Sequence, residues 1–541
     1  MTAFFSFVVA LFVTLVAIPP LIRFSRKLRL MDEPAARKIH HSAVPRCGGI
    51  AIALGTILPI FMWVSVDRGI LSYLIGATII LIFGVWDDIS PLNYKWKFLG
   101  QSVAVLVAIH GGIVIEHVPF FGLDPAPGYV TYPLTALFLL GITNAVNLFD
   151  GLDGLAGGCV LLTLSVIGVL AYESDGLPIV LVALAAMGSV FGFLRYNTHP
   201  AFVFMGDAGS QFLGFTTAVL SILLLKEHHQ ALNAGLPLLL LGLPILDTLS
   251  VMTQRILAGR SPFAADRNHL HHKILDLAFT QYETVCIIYI VQALMVCSAL
   301  AFRYESDATV IFVFILICAA SIISLHMAKT CGWRMRADMV HGQFVEKRNL
   351  WLREQTWLPT FAAKTVRYAV ACFMVAGAFI PAEISPDLSV LSLSVAGLSI
   401  AAIVLLKSQS LIILRLSTYL ATVVAAYLIA SWELDSVVPA WIIGAYLLTL
   451  TMALIIAIRV TRRDLFQVTP QDLLILFLAL AVPNLSGNTL GQYQIGEVGI
   501  MLIVVFYASE FVLTRDQSGH FTMRIGSVLS LAIIGIRGIL S

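Results

Sequence analysis

The chain has 541 residues, of which 59% are hydrophobic and only 12% carry a charged side chain. A soluble globular protein would be about one-quarter charged, so this composition and the mean hydropathy of +0.92 exclude that class. The formal net charge of +2 is too small to indicate a nucleic-acid partner.

Apolar segments long enough to cross a bilayer recur along the whole sequence. Eleven spans are predicted in the first 330 residues, at 3–22, 47–66, 70–86, 98–115, 131–148, 155–172, 177–194, 210–225, 234–252, 281–301 and 308–328. After a basic cytoplasmic linker at 331–366, seven more are predicted at 367–383, 389–406, 411–431, 439–458, 470–484, 496–513 and 525–541. The sequence therefore predicts an all-α, polytopic transmembrane protein with a membrane domain at 1–330 and a C-terminal membrane extension at 367–541.

Lysine and arginine are concentrated in alternate loops. Seven lie at 23–46, four at 253–280 and eight at 329–367, whereas the opposite loops have little beyond Arg68, Lys226 and Arg303. Loops rich in lysine and arginine stay on the cytoplasmic side. The N-terminus is therefore predicted to lie outside, and the odd-numbered loops to lie in the cytoplasm. The first span has neither a basic leader nor a cleavage site, so we interpret it as an anchor.

The stretch 144–158 carries polar side chains among glycines between two predicted spans. These side chains are Asn144, Asn147, Asp150 and Asp153. Polar groups at a membrane boundary are costly unless they bind something. The two acids are three residues apart and would share one side of a helix that begins here. Glycines let a ligand approach the backbone closely, so the stretch is typical of a binding site.

Two adjacent acids, Asp87 and Asp88, end the third predicted span. Adjacent carboxylates repel one another unless they share a cation, although a solvated helix end is the plain alternative. Lys97 follows on the next segment. It could contact a phosphate, or it could be an ordinary positive anchor on the cytoplasmic side.

Asp207 lies among glycines where a polar loop is predicted to open a helix. Mg²⁺ takes one or two carboxylates together with substrate phosphates, and a helix N-terminus offers backbone donors to phosphate. The structural alternative is an aspartate N-cap followed by turn glycines. Phe204, just ahead, could stack on a nucleotide base or belong to the core.

A dense cationic loop follows the ninth predicted span. It contains Arg260, Arg267, His269, His271 and His272. A transition-metal site is one interpretation, but neither a partnering cysteine nor an HExxH pattern accompanies it. An anion clamp, in which arginine and histidine donate to phosphate oxygens, is the other. Together with the acids, these donors favour Mg²⁺-assisted phosphoryl transfer from a diphosphate.

These motifs, in this order, resemble the polyprenyl-phosphate N-acetylhexosamine-1-phosphate transferases, in the undecaprenyl-phosphate GlcNAc-1-phosphate branch. The matching segments are Asp32-Glu-Pro34, Arg37-Lys38-Ile-His40, Pro45-Arg46-Cys-Gly48-Gly49, Asp87-Asp88, Asn144 to Gly154, Asn197 to Ser210, Pro244-Ile-Leu-Asp247 and Arg260 to His272. The resemblance covers about residues 1–330, and the region 367–541 departs from it.

The resemblance implies transfer of GlcNAc-1-phosphate from a UDP-N-acetylhexosamine to undecaprenyl phosphate, with release of UMP. The reaction would start a cell-envelope glycan, such as a lipopolysaccharide O-antigen, at the cytoplasmic face of a bacterial inner membrane. Asp87 and Asp88 would be catalytic, and Asp207 with Asp88 would hold Mg²⁺ or Mn²⁺. The nucleotide-sugar would contact Asn144, Asn147, Asp150, Asp153, Asn197 and Phe204. Phosphates and sugar would contact Lys97, Arg46, Arg260, Arg267, His269, His271 and His272.

Two alternatives accompany this interpretation. The phospho-MurNAc-pentapeptide transferases typically have three consecutive histidines where this chain has His269-Leu-His271-His272, and Pro-Thr-Met-Gly-Gly where it has Pro45-Arg46-Cys-Gly48-Gly49. A transporter of a lipid-linked or anionic solute should carry polar groups near mid-span in matching halves. Here the polar groups lie at span ends. A homodimer and the role of 367–541 are left open.

Overall fold

The computed structural model describes residues 2–33, 43–119, 125–227, 232–261, 268–335, 357–380, 384, 386–405, 410–431, 440–460, 495–515 and 517–540. These residues are mostly helical and form two compact units. One unit takes the described residues up to 335, and the other takes those from 357 onward. Ten of the described helices are long and apolar enough to cross a membrane, and shorter apolar helices accompany them. The prediction of an all-α, polytopic membrane protein is confirmed, while the number of eighteen spans stays a prediction.

The first unit contains thirteen described helices and one short strand pair. The helices are α1 (Thr2–Phe24), α2 (Gly48–Trp63), α3 (Arg68–Ile89), α4 (Tyr94–His110), α5 (Gly128–Phe149), α6 (Leu155–Glu173), α7 (Leu177–Asn197), α8 (Gly206–Glu227), α9 (Leu236–Leu240), α10 (Gly242–Leu257), α11 (Leu270–Leu275), α12 (Gln281–Ala301) and α13 (Asp307–Thr330). Strands β1 (Met31–Asp32) and β2 (Val44–Pro45) pair antiparallel within the predicted basic loop. Ten of the eleven predicted spans of this region therefore each correspond to one helix.

The second unit contains six described helices. They are α14 (Trp357–Ala378), α15 (Pro386–Leu405), α16 (Ser410–Ser431), α17 (Ala440–Val460), α18 (Ile495–Arg515) and α19 (Gln517–Leu540). The predicted span 470–484 lies outside the described residues. Helix α14 begins within the predicted linker 331–366, and Pro359 lies in its first turn, where proline is tolerated.

Helix α8 forms the centre of the first unit. Its whole membrane-length window is buried within the protein, against 89% of the window for α6 and 17% for α13. Its polar side chains do not disturb this burial, because Thr216, Thr217 and Ser221 each donate to a carbonyl four residues earlier. A polar group at the start of α8 is therefore held on the most enclosed helix of the unit.

The predicted span 234–252 is not one helix, and the structure corrects it to α9 followed by α10. Pro244 has no N–H to give to the carbonyl of Leu240, four residues earlier, so the helical hydrogen bond is lost there. Thr163 Oγ1 and Gln292 Nε2 donate to that carbonyl instead, at 2.7 and 2.9 Å. Buried protein donors thus make the break tolerable at membrane depth.

Candidate active site

The segments that follow α1, α5, α7 and α10, together with the end of α3, meet around one open cavity of about 690 Å³. That volume is ordinary for a small-molecule site. Most of the residues predicted from the sequence line it, namely Arg46, Asp88, Asn147, Asp150, Asp153, Asn197, Phe204, Asp207, His269, His271 and His272. The polar loops predicted to share one face therefore do meet.

The acidic end of α3 holds the start of α8 in place. The two carboxylate oxygens of Asp88 accept the backbone N–H groups of Asp207 and Ala208, at 2.9 and 3.0 Å. Gly206 has φ +72°, and a Cβ there would lie 2.5 Å from Asp88 Oδ2, so this position requires glycine. A carboxylate at a helix N-terminus is favourable, and the contact fixes Asp207 beside Asp88.

Lys97, at the start of α4, links two of the acids. Its Nζ pairs with the carboxylate of Asp87 and lies 2.9 Å from Asp207 Oδ2. Asn147 Nδ2 donates to the other oxygen of Asp207 at 3.0 Å. Burial alone would lower the pKa of Lys97, but the carboxylates of Asp207 and Asp87 outweigh burial and raise it. The ammonium group therefore stays charged and is shared by Asp87 and Asp207, rather than by the adjacent pair Asp87 and Asp88.

The segments after α5 and α7 are tied to each other by side chains. Asn197 Oδ1 accepts the backbone N–H of Gly154 at 2.8 Å, and its Nδ2 donates to the Val203 carbonyl at 2.9 Å. Asp153 Oδ2 lies 2.7 Å from His199 Nδ1. These contacts give one wall of the cavity a fixed shape, with Phe204 on its lining.

Asp150 lies partly buried in the cavity lining. Burial, and then the negative charges of Asp207 and Asp153, raise the pKa of its carboxyl group to about 7. Asp150 can therefore hold a proton near neutral pH and donate a hydrogen bond to a ligand. Asp207 differs from Asp150 because it pairs with the ammonium group of Lys97.

The histidine loop is positioned by an acid inside α10. Asp247, only 1% exposed, places Oδ2 at 2.7 Å from His269 Nδ1 and accepts the backbone N–H of Leu270 at 2.6 Å. Burial, together with His272 and His269, lowers the pKa of His271 to about 3. Its buried Nδ1 has no hydrogen-bond partner within the described part of the chain. His271 is therefore neutral at physiological pH and offers a hydrogen bond rather than a charge.

Among the described residues of the prediction, Asp87, Lys97, Asn144 and Arg260 do not line the cavity. Lys97 and Asp87 lie next to it, because Lys97 pairs with Asp87 and with the lining residue Asp207. Asn144 is one helical turn from Asn147 on α5 and bonds to Gln101 at 2.8 Å. Arg260 is exposed and does not line the cavity. Arg267 lies outside the described residues.

Three lining or supporting residues were given no role by the sequence analysis. His199 pairs with Asp153, Asp32 pairs with Arg46, and Asp247 orients His269. Asp247 carried a usable signal, because an acid inside a predicted span marks a functional contact more often than not. His199 and Asp32 had none beyond lying inside matching motifs.

The acids at the cavity are side chains of the kind that Mg²⁺ binds. No cluster of three His, Cys, Asp or Glu side chains forms a complete metal site in the described ranges. Mg²⁺ does not need one, because it commonly takes one or two carboxylates and completes its shell with water and substrate phosphates. Asp207 and Asp88 both line the cavity and supply donors of that type. The residues present therefore fit a Mg²⁺ ion that binds together with a diphosphate.

The fold and the site together define a polytopic membrane protein with an acidic, ligand-sized cavity at one end of its helices. Residues 70–225 match the family described as Glycosyl transferase family 4. The chain is 35% identical, over 59% of its length, to 90% of a probable undecaprenyl-phosphate N-acetylglucosaminyl 1-phosphate transferase from Bacillus subtilis. The chain belongs to glycosyl transferase family 4.

Other relatives have similar names. A decaprenyl-phosphate N-acetylglucosaminephosphotransferase from Mycobacterium leprae is 31% identical, with 49% of this chain and 75% of the relative covered. An undecaprenyl-phosphate alpha-N-acetylglucosaminyl 1-phosphate transferase from Yersinia pestis is 27% identical, with 50% and 76% covered. Each match covers most of the relative and about half of this chain.

Proposed function

We propose that the first unit transfers N-acetylhexosamine-1-phosphate, with GlcNAc-1-phosphate as the expected group, from a UDP-sugar to undecaprenyl phosphate. The products are a lipid-diphosphate sugar and UMP. The observation that carries the proposal is the contact of Lys97 with both Asp87 and Asp207 beside the cavity. The names of the relatives support the transferred group and the lipid acceptor.

The reaction forms a P–O bond from an oxygen of the lipid phosphate to the sugar-bearing phosphorus and breaks the P–O bond to UMP. Asp87 orients the lipid phosphate and accepts its proton, while the ammonium of Lys97 stabilises charge on the phosphate oxygens. Asp207, with Asp88, would hold Mg²⁺, which neutralises charge on the diphosphate when bound. Positioning and charge stabilisation supply most of the catalysis in phosphoryl transfer.

The opposite wall would bind the nucleotide-sugar. Asn147 and the protonated carboxyl of Asp150 offer hydrogen-bond donors, and Phe204 offers an aromatic face to the base. Asp153 and Asn197 keep the loops of this wall in place. The neutral His271 would line this wall without adding charge, and His269 and His272 flank it.

The cavity would open to the cytoplasm of a bacterium, where UDP-sugars are made. The support is that the cavity lies at the ends of α1, α3, α5 and α7, and that its lining includes residues of the basic segments 23–46 and 253–280. The helices then lie in the inner membrane, which also supplies the lipid acceptor to the site.

The decisive experiment measures UMP release by the full chain with UDP-GlcNAc, undecaprenyl phosphate and Mg²⁺. Asp207→Asn should lower the rate at least about 10³-fold, because one oxygen and the charge of the carboxylate are lost. Asp67→Asn is the matched control, because it makes the same substitution at the end of α3 that lies away from Asp88 and the cavity. Asp67 caps that helix by accepting the Ile70 N–H at 2.7 Å, and asparagine caps equally well.

Other donors separate the alternatives. UDP-GalNAc tests the sugar epimer, and UDP-MurNAc-pentapeptide tests the muropeptide reaction. Absence of UMP release with every donor would overturn the proposed function. Movement of a lipid-linked solute across vesicles without UMP release would favour the transporter instead.

A further inference from the structure

Three carboxamide side chains form a hydrogen-bonded layer beneath the site, on α4, α5 and α8. Gln101 Nε2 donates to Asn144 Oδ1 at 3.2 Å and to Gln211 Oε1 at 2.9 Å. Asn144 Nδ2 donates back to Gln101 Oε1 at 2.8 Å. Gln101 and Gln211 are each 4% exposed, and Asn144 is half-buried. The hydrogen bonds of the layer join three helices.

Each member of this carboxamide layer lies one helical turn from a site residue on the same helix. The pairs are Lys97 with Gln101, Asn147 with Asn144, and Asp207 with Gln211. Residues three or four apart share one face of a helix. The carboxamide layer therefore lies directly beneath the three side chains that meet at Asp207.

We propose that Gln101, Asn144 and Gln211 are positioning residues for the transfer reaction, and this inference rests on the proposed function. They set the rotation and depth of α4 and α5 against α8. As a result, Lys97 Nζ reaches one oxygen of Asp207 at 2.9 Å, and Asn147 Nδ2 reaches the other at 3.0 Å.

Carboxamides suit this task because each one both donates and accepts in fixed directions. The reciprocal pair of Gln101 and Asn144 forms in a single register of the two helices, whereas an apolar layer could pack in several. Neutral groups also add no charge beside Asp87, Asp88 and Asp207. The gain is catalytic, since a misplacement of about 1 Å can cost about 10²-fold in rate.

The test compares Gln101→Leu and Gln211→Leu with Tyr73→Phe in the full chain. Tyr73 is a matched control, because its buried hydroxyl bonds to Thr216 Oγ1 at 3.1 Å and also ties a neighbouring helix to α8. Three quantities are measured: Mn²⁺ binding without substrates by electron paramagnetic resonance, kcat and KM for UMP release, and Tm.

Both glutamine variants should weaken Mn²⁺ binding and lower kcat by about tenfold or more, with KM for UDP-GlcNAc little changed. Tyr73→Phe should leave Mn²⁺ affinity and kcat within about twofold, even if Tm falls as much. The double variant Gln101→Asn/Asn144→Gln exchanges the two side-chain lengths. It should recover Mn²⁺ affinity and kcat relative to either single change.

Three results would overturn the inference: folded glutamine variants that keep both Mn²⁺ affinity and kcat, a Tyr73→Phe variant that loses as much, or a double variant no better than its worse single change. The proposed function fails separately, since a parent chain without UMP release can still report Mn²⁺ affinity. A parent chain that releases UMP but binds Mn²⁺ too weakly to measure leaves kcat and the double variant to decide. A parent chain with neither property overturns both.

Discussion

The two units of the chain place their charged side chains differently. In the first unit Asp87 and Asp207 lie at helix ends beside a cavity, and Lys97 joins them there. In the second unit Arg415 of α16 and Glu510 of α18 pair at 3.1 Å within their helices. Tyr419 donates to the second oxygen of Glu510. The first arrangement leaves polar atoms for a ligand, whereas the second joins two helices.

Among the variants that test this difference between the units, Lys97→Met is expected to change the rate of UMP release most. Loss of the ammonium removes the cation shared by Asp87 and Asp207, so the rate of UMP release should fall about 10²–10³-fold. Lys226→Met is the matched control at the far end of α8, where Lys226 pairs with Glu116 at 3.1 Å. The rate of UMP release by Lys226→Met should stay within about twofold of that of the parent chain. Similar rates for the two variants would remove Lys97 from the mechanism.

Arg415→Met tests the other side of the contrast. Glu510 would lose its cation, which costs about 3 kcal/mol of stability, at the low end for a buried pair because the two side chains are 22% and 19% exposed. Tm measured in detergent should fall clearly, while UMP release per folded molecule stays within about twofold. Arg415→Met/Glu510→Gln should regain much of the Tm. A tenfold loss of rate would mean that the second unit takes part in transfer.

Most helices could be predicted from the sequence because an uninterrupted apolar run of membrane length has few other uses. The break between α9 and α10 could not. Pro244 signals a lost hydrogen bond, but the donors that make the break tolerable, Thr163 and Gln292, come from distant segments. Such compensation depends on tertiary packing, which no local pattern contains.

For the site, too, local sequence patterns predicted some features, and others depended on contacts between distant segments. The ordered motifs predicted which loops would meet, since each carries polar side chains at a span end. They did not distinguish Asn147, which lines the cavity, from Asn144, which lies one turn away and bonds to Gln101. That difference depends on how α5 is rotated against its neighbours. The pairing of Asp247 with His269 likewise depends on the path of α10.

A smaller effect is expected from pH. Because the pKa of Asp150 is raised to about 7, its carboxyl group is mostly neutral at pH 6 and mostly charged at pH 8. A charged Asp150 repels an anionic donor, so KM for UDP-GlcNAc should rise by up to about tenfold over this interval. Asp150→Asn keeps a neutral donor and should flatten the profile. Equal pH dependence in both proteins would remove Asp150 from donor binding.

The smallest effect compares one hydroxyl in each unit. Thr163→Val removes a donor to the Leu240 carbonyl, which Gln292 still satisfies, so about 1 kcal/mol should be lost. Tyr419→Phe removes a donor to Glu510, and hydrogen bonds to charged groups contribute about 1.5–3 kcal/mol. Tm should therefore fall further for Tyr419→Phe, while both variants keep their rate of UMP release. If Tm falls equally in the two variants, the hydrogen bond that Glu510 accepts from Tyr419 stabilises the protein no more than a hydrogen bond to a backbone carbonyl does. The charged contact of the second unit would then stabilise it no more than an ordinary hydrogen bond between helices does.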